Sequence, residues 1–415
     1  MQAKILNDMR RTIYMIMMAA ALAGCLRVSD VNPYKDQLNV LIINPLYPEE
    51  MSQESKVGVG IVITDRNRGG SYTLATGTDG NAVVELPNGT YRIVLSTKVD
   101  GKSYSGAADK VVLSGADREL SMQVVGSKSG DIVIKEMYFG GCQKYPEQGN
   151  YQIDKYIILH NNSSQTQYLD SLCFGTLDPY NSVSNNPWTS TDPETGEVVF
   201  RDFVPIVQAL WQFPGSGKDF PLAPGEDAVL CIYGAIDHKA QYPESVNLNK
   251  PDYFVCYNTN YFSNTAWHPA PGSNIQSSRI LDCVVKTGIA NAYTMSATSP
   301  AVVIFKAPSG MTIQDFISDP SSIVQKPGST VDKVVAVPCA WIMDGVEVFN
   351  GNGSKKRLRT DIDAGSVQFS EAFQGHAVLR KVDREATEAL GYEVLEDTNN
   401  SSNDFVEIEK HTLNE

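Results

Sequence analysis

An all-β chain of two β-sandwich domains is what this sequence predicts, and three features carry the prediction. Gly and Pro number 32 and 21 in 415 residues and punctuate the chain at short intervals. Between them stand short runs rich in Val, Ile, Thr and Tyr, the composition of strands bounded by turns. The length suits two or three domains, each large enough to bury an ordinary core. Charge then narrows the function. Lys and Arg total 34 against 48 Asp and Glu, a net of -14, so no basic surplus exists to neutralise the phosphates of a nucleic acid. With 20% charged and 9% aromatic residues, the composition is also not that of a disordered chain.

Residues 1–24 read as a lipoprotein signal peptide. Lys4, Arg10 and Arg11 give a charged start, and Thr12 to Ala23 is almost wholly apolar, a run too short to span a bilayer by itself. Leu22-Ala23-Gly24-Cys25 resembles the lipobox of bacterial lipoproteins, whose small residues let the peptide lie extended in a peptidase groove. Cys25 is then the residue that carries the lipid, and two or more acyl chains hold a protein stably on a membrane. Met9 serves as a start as well as Met1, since Met9-Arg10-Arg11 keeps the charge. Loss of residues 1–24 removes three basic residues and one acidic residue and takes the net charge to -16. Leu26 is compatible with sorting to the outer membrane and leaves the periplasmic or outward face open. Residues 25–36 form a linker. Cys142, Cys173, Cys231, Cys256, Cys283 and Cys339 remain, with every pairing open in a compartment that permits disulfides. Their spacing includes no C-x-x-C, so neither zinc ribbons nor thioredoxin chemistry is supported.

The first domain spans 37–126. Leu38 to Ile43 and Val57 to Ile63 are β-branched runs of strand length. Asp79-Gly80 and Asn88-Gly89 are turn signals that frame the alternating run from Ala82 to Val94. Lys110 to Leu113 and Leu120 to Val125 close the block. Its Thr78-Asp79-Gly80 and Leu86-Pro87-Asn88-Gly89-Thr90-Tyr91 turns resemble those of carboxypeptidase-regulatory-like (transthyretin-like) and collagen-adhesin B-type domains. The resemblance implies a β-sandwich spacer without catalytic residues.

After the small-residue linker Val125 to Gly130, a second pattern occupies 131–415. It opens with a strand from Asp131 to Tyr138. Next come Asp154-Lys155-Tyr156-Ile157-Ile158-Leu159-His160-Asn161, a Leu222-Ala223-Pro224-Gly225 turn, the strands Ala228 to Tyr233 and Ala301 to Phe305, and Val331 to Val335. It closes on Leu379-Arg380-Lys381 and Asp397-Thr398-Asn399-Asn400-Ser401…Asp404-Phe405. That order resembles the lamin-tail domain, which implies an immunoglobulin-like sandwich. Ile158 stands where the lamin-tail strand usually has Glu, and His160 reads as an edge or core imidazole. The excess length falls near 174–215, 234–300 and 337–374, long insertions of the kind that are usually functional. The whole chain also resembles a Bacteroidetes lipoprotein family of similar length and unknown function.

Motifs for catalysis are missing. H-E-x-x-H, G-x-S-x-G and Walker A do not occur, and Gly215-Ser216-Gly217-Lys218-Asp219 reads as a Gly-rich turn before Phe220. His160, His238, His268, His376 and His411 are too far apart for a local metal cluster. Asp361-Ile362-Asp363-Ala364-Gly365 opens like a calcium loop but lacks the third acidic ligand and the distal Glu. No catalytic residue, metal or cofactor is therefore assigned.

Two segments rise above background as binding candidates. Pro251 to His268 holds six aromatic residues in eighteen, Tyr253, Phe254, Tyr257, Tyr261, Phe262 and Trp267. With interleaved Asn and Thr they form either a recognition rim or rings packed on the sandwich. Lys355, Lys356, Arg357 and Arg359 form a basic run after a Gly/Asn loop, either a solvated patch or a dock for an anionic partner. The sequence as a whole predicts a noncatalytic outer-membrane lipoprotein that binds a ligand or a protein. Resemblance to the Bacteroidetes lipoproteins implies a TonB-dependent transporter as partner, with iron or haem uptake as its task. An adhesive or structural lipoprotein, and a hydrolase built on scattered carboxylates, are the alternatives.

Overall fold

Strand alternation builds the N-terminal region of the computed structural model, which describes residues 38–99, 102–128, 130–193 and 198–413. The signal peptide and Cys25 lie outside the described residues. A three-stranded sheet orders Ala82–Pro87, Leu38–Leu46 and Arg118–Gln123. A five-stranded sheet orders Ser71–Ala75, Gly60–Asp65, Gly89–Val99, Lys102–Leu113 and Val125–Lys128. Side chains on a strand point to alternate faces. Leu41 and Ile43 from the first sheet therefore meet Ile61, Ile63, Ile93 and Leu95 from the second in one buried core. The turn at Asn88 joins strands of different sheets, so it carries the chain across this core instead of closing a hairpin.

The other face of the five-stranded sheet carries Val62, Thr64, Arg92, Val94 and Ser96, which alternate with the core residues. This face meets the C-terminal region. Arg92 Nη2 donates to the carbonyl of Ala364 at 2.6 Å, Ser103 Oγ to that of Asp397 at 2.7 Å, and Asn400 Nδ2 to Ser96 Oγ at 3.0 Å. Residues Asn39–Glu415 accordingly form one compact unit. Val125–Lys128, expected as part of a linker, is an edge strand paired with Lys102–Leu113.

Several sheets make up the C-terminal region. A six-stranded sheet orders Phe254–Val255, Asp227–Cys231, Tyr156–Asn161, Ile132–Tyr138, Ala377–Arg380 and Phe405–Ile408. A larger sheet has Phe203–Gln212, Cys173–Leu177, Ala301–Phe305 and Ile342–Phe349 at its centre. Ile157, Leu159 and Leu230 from the one pack with Phe174, Trp211, Val302 and Ile304 from the other. The outward faces are covered as well. Val303 and Phe305 meet Ile313, Val335 and Leu358, while Tyr156, Ile158 and Val229 meet Val246 and Leu248.

Two stretches expected as loops thus supply central strands, Cys173–Leu177 and Phe203–Gln212 from 174–215 and Ile342–Phe349 from 337–374. A strand covered on both faces reads as a continuous apolar run, without the alternation that marks a strand in sequence. The 234–300 stretch is largely turns that cover the six-stranded sheet. Among the described residues the helices are short, and none is long and apolar enough to cross a membrane. The six described cysteines stand as free thiols. Burial pushes Cys142 and Cys283 up to about 12 and Cys339 to about 11, so none is a ready nucleophile at neutral pH.

Candidate functional site

Between the two regions lies a cleft of about 380 Å³. One wall is the outer face of the five-stranded sheet, with Val62, Thr64, Ser71, Arg92 and Val94. The register explains the grouping: Val62 pairs with Val94, Thr64 with Arg92 and Ser71 with Thr64, so these side chains share one face. The opposite wall comes from Phe349 to Ser354, Ser366 to Gln368 and the segment around Asn400 to Glu407. Hydroxyl and amide groups alternate with Val and Phe, a lining suited to orienting a small polar ligand against an apolar surface.

Two guanidinium groups set the electrostatics. Arg92 Nε donates to Asp109 Oδ1 at 2.8 Å, its Nη2 is held by the carbonyl of Ala364, and its carbon lies 5.7 Å from the Phe349 ring centre. Arg66 donates to two carbonyls, of Asp109 at 3.3 Å and of Ser354 at 2.5 Å. Burial lowers the Arg66 pKa, with Asp109 acting against it and Arg92 with it. Beyond Arg66 a smaller recess of about 290 Å³ is lined by Asp109, Asn185, Asn186, Lys355 and Lys356. Neither Arg66 nor Arg92 is among the candidates that the sequence offers. The available signal was an arginine between Tyr91 and Ile93, a charge on the non-core face of a central strand.

The aromatic segment is split by the fold. Phe254 and Phe262 are buried in the central core; as closed core rings they cannot form a rim, which corrects the expectation for these two. Tyr253 and Tyr257 pack half-buried against the covered face of the six-stranded sheet, and Tyr257 stacks on His268 at 5.1 Å. Tyr261 and Trp267 are 43% and 39% exposed. Among the described residues none of the six lines the cleft.

The basic run needs a sharper correction. Lys356 and Arg357 are buried, because Glu347, with no exposed surface, pairs with both. Lys356 Nζ also donates to the carbonyls of Asp363 and Gly365, and Arg357 to those of Ser299 and Pro300. These two are internal braces, unavailable to an anionic partner. Arg359 pairs with Asp361 at 2.8 Å and with Asp202 at 3.0 Å. Lys355 remains at the surface, 2.5 Å from Asn185 Oδ1.

Other motifs also find structural roles. The Gly215 turn cradles an anion that belongs to the protein: the amides of Gly217, Asp219 and Phe220 donate to the Asp170 carboxylate. Burial opposes its charge, yet these three bonds hold Asp170 below the usual carboxylate range. Gly215 has φ 116°, and a Cβ there would stand 2.2 Å from Asp170 Oδ1; only glycine fits. Asp363 accepts from the Ser401 amide and hydroxyl. The closing Arg380 gathers Asp344 at 2.6 Å, Asp397 at 3.2 Å and Asp404 at 3.6 Å.

His160, Asp227 and Glu393 form a cluster whose donor atoms could hold a metal ion. His160 Nδ1 lies 2.6 Å from Asp227 Oδ1, and its Nε2 lies 2.9 Å from the Glu393 carbonyl. Lys135 Nζ bridges the two carboxylates at 2.6 and 2.5 Å. Burial opposes both charges, but the contacts prevail, raising Lys135 and lowering Asp227. The cationic position is therefore filled by an ammonium, and a metal would have to displace it.

Residues 223–412 match a family described as a protein of unknown function, DUF4876. The match covers under half of the chain and is a likeness of its C-terminal part to that family. A crystal structure of a DUF4876 family protein from Bacteroides thetaiotaomicron is 22% identical, with a TM-score of 0.54 over 89% of this chain and 94% of that one. The two share a fold at that level. A DUF3823 family protein from Parabacteroides merdae is 12% identical with a TM-score of 0.16, covering 42% of this chain and 88% of that one. A leucine-rich repeat protein from Bacteroides thetaiotaomicron is 15% identical with a TM-score of 0.21, covering 46% of this chain and 25% of that one. No curated protein matches the chain. The DUF4876 match contains one wall of the cleft, from Phe349 to Glu407; the other wall precedes it.

Proposed function

We propose that this chain belongs with DUF4876 and is a noncatalytic, lipid-anchored protein of the outer membrane that binds a small ligand in the cleft between its two regions. The observation that carries the reading is the cleft itself. Its arginines are held in place by Asp109 and by carbonyls, so the site is organised before a ligand arrives. Cys25, after its charged and apolar leader, supports the anchor. In the finer reading of the fold, the first region is a carboxypeptidase-regulatory-like sandwich and the second a lamin-tail-like, immunoglobulin-like one. The two cores, each shared by facing strands, support it. A TonB-dependent transporter is the partner this reading favours, with iron or haem uptake as its task. The adhesive alternative would use exposed Tyr261 and Trp267.

Thermal melting against a panel of small polar metabolites tests the cleft. A stabilising ligand should raise the Tm of the native protein and leave Ser71→Trp unchanged, since a tryptophan on that exposed edge strand fills the opening. A blank panel, or equal shifts in both proteins, sinks the reading. Cys25→Ala should move the protein from membrane to soluble fraction; retention on the membrane would refute the anchor.

A further inference from the structure

We infer that the cleft takes a sugar acid, a small polyhydroxylated ligand with a carboxylate; this rests on the ligand-binding reading above. Charge carries the first step. Arg66, Arg92 and Lys355 line the cleft and the recess that opens beside it, against the carboxylates of Asp109 and Glu407. Asp109 accepts from Arg92 at its Oδ1, and the buried Lys356 of the recess is spent on Glu347 and does not count. Glu407 accepts from the Ser370 amide and hydroxyl and from His376 Nδ1, so its hydrogen bonds are met while its charge stays on the cleft, one carboxylate against the two cations Arg66 and Lys355. Among the described residues Arg66 donates to carbonyls, which satisfy its hydrogens but do not neutralise its charge, and the nearby Asp109 shares its carboxylate with Arg92. A recess with a cationic surplus, in a chain of net charge -14, favours an anion.

Shape and hydrogen bonding carry the second step. Among the described residues, the side chains of Thr64, Ser71 and Asn352 are uncommitted to internal hydrogen bonds, and all three line the cleft. Val62 and Val406 add an apolar strip, with Val406 41% exposed. A pyranose ring offers the complementary set: hydroxyls at its edge, a C–H face, and in a uronic acid a carboxylate on C5. The volume of about 380 Å³ lies within the range of small-molecule sites.

Calorimetric titration with a uronic-acid disaccharide, its neutral hexose counterpart and inorganic phosphate decides the class. The uronate should bind, and the neutral sugar roughly tenfold or more weakly, since the lost contact is a charge-assisted one. Arg66→Gln should weaken uronate binding by a similar factor, Arg66→Lys should recover part of it, and Ser71→Trp should abolish it. If Arg66→Gln fails to fold, the loss in Ser71→Trp together with weaker binding at high salt carries the same test. Equal binding of the neutral sugar, or binding of phosphate alone, overturns the sugar acid while the cleft stands. If no probe binds but the metabolite panel yields another ligand, the class again falls alone; if that panel is blank too, both readings fall.

Discussion

In the N-terminal region the five-stranded sheet buries Ile61, Ile63, Ile93 and Leu95 on one face and gives Val62, Thr64 and Ser71 to an open cleft on the other. In the C-terminal region both large sheets are covered on both faces, by short strands, turns and one-turn helices. The consequence is electrostatic. On the open face Arg66 stays partly exposed while Arg92 is buried against Asp109 and the Ala364 carbonyl, whereas under the covered faces Lys356, Arg357 and Arg380 are all enclosed and must find partners inside. Polar groups therefore have different work in the two places: at the cleft they can serve a ligand, and under the covered faces they hold segments together.

Removing the carboxylate that two enclosed cations share strikes the comparison hardest. Glu347→Ala would leave Lys356 and Arg357 buried without it, at a cost of about 3–5 kcal/mol. Chemical denaturation should show the loss as a lower midpoint. A change under about 1 kcal/mol would mean that these charges behave like surface ones and that the contrast is false.

Within the aromatic segment the same contrast acts residue by residue. Phe262, 1% exposed, lies 5.9 Å from Trp211 and 6.0 Å from Tyr293 between ring centres. Phe262→Ala should cost about 3–5 kcal/mol through lost burial and the cavity left behind. Trp267→Ala, at a position 39% exposed, should change stability by about 0.5 kcal/mol or less. Similar losses at both positions would show that the segment packs as one block.

The N-terminal region was legible because its strands obey period-two alternation, and the Asp79-Gly80 turn has its glycine at φ 80° with Asp79 accepting from the Asn81 amide. The C-terminal region was legible where a motif stayed intact. Arg380, Asp397, Asp404 and Phe405, singled out as a closing pattern, meet around one guanidinium, whose carbon lies 4.6 Å from the Phe405 ring centre. Asp344, its shortest partner, was not foreseen, since nothing local in Met343-Asp344-Gly345 marks a buried charge. The basic run looks like surface for a related reason: the burial of Lys356 depends on Glu347, on a preceding strand. The cleft was invisible because its two walls, around Arg66 and Asn352, are far apart in sequence and each looks like ordinary surface alone.

Titration separates two kinds of enclosed group by sign. Burial outweighs Arg380 at Asp404 and pushes it up to about 7, and it raises Asp344 in the same way. Their folded values lie above the unfolded ones, so the folded state retains protons that the unfolded chain releases. This contribution is fully present below about pH 4 and is lost as pH rises towards 7. His268 has the opposite slope. Burial lowers it to about 4, so stability falls as pH drops from about 6.5 towards 4, where only the unfolded chain takes up the proton. Urea midpoints across pH 4–8 should show Asp404→Asn flattening the first slope and His268→Gln the second, each by at most about 1.4 kcal/mol per pH unit. An unchanged slope in either variant would remove that group from the account.

The smallest effect belongs to Lys355, and it draws the finest line between surface and enclosed charge. Lys355 and Lys356 are neighbours outside any strand, yet their side chains reach different places. The Lys356 ammonium reaches Glu347 and two carbonyls, while among the described residues the Lys355 ammonium reaches Asn185 Oδ1 in the recess. Lys355→Ala should therefore shift stability by about 0.5 kcal/mol or less, whereas Lys356→Ala should cost a few kcal/mol by leaving Glu347 with Arg357 as its one basic partner among the described residues. Equal effects would mean that Glu347 is indifferent to its second cation. A large loss for Lys355 alone would place its amine inside the fold and detach it from the recess.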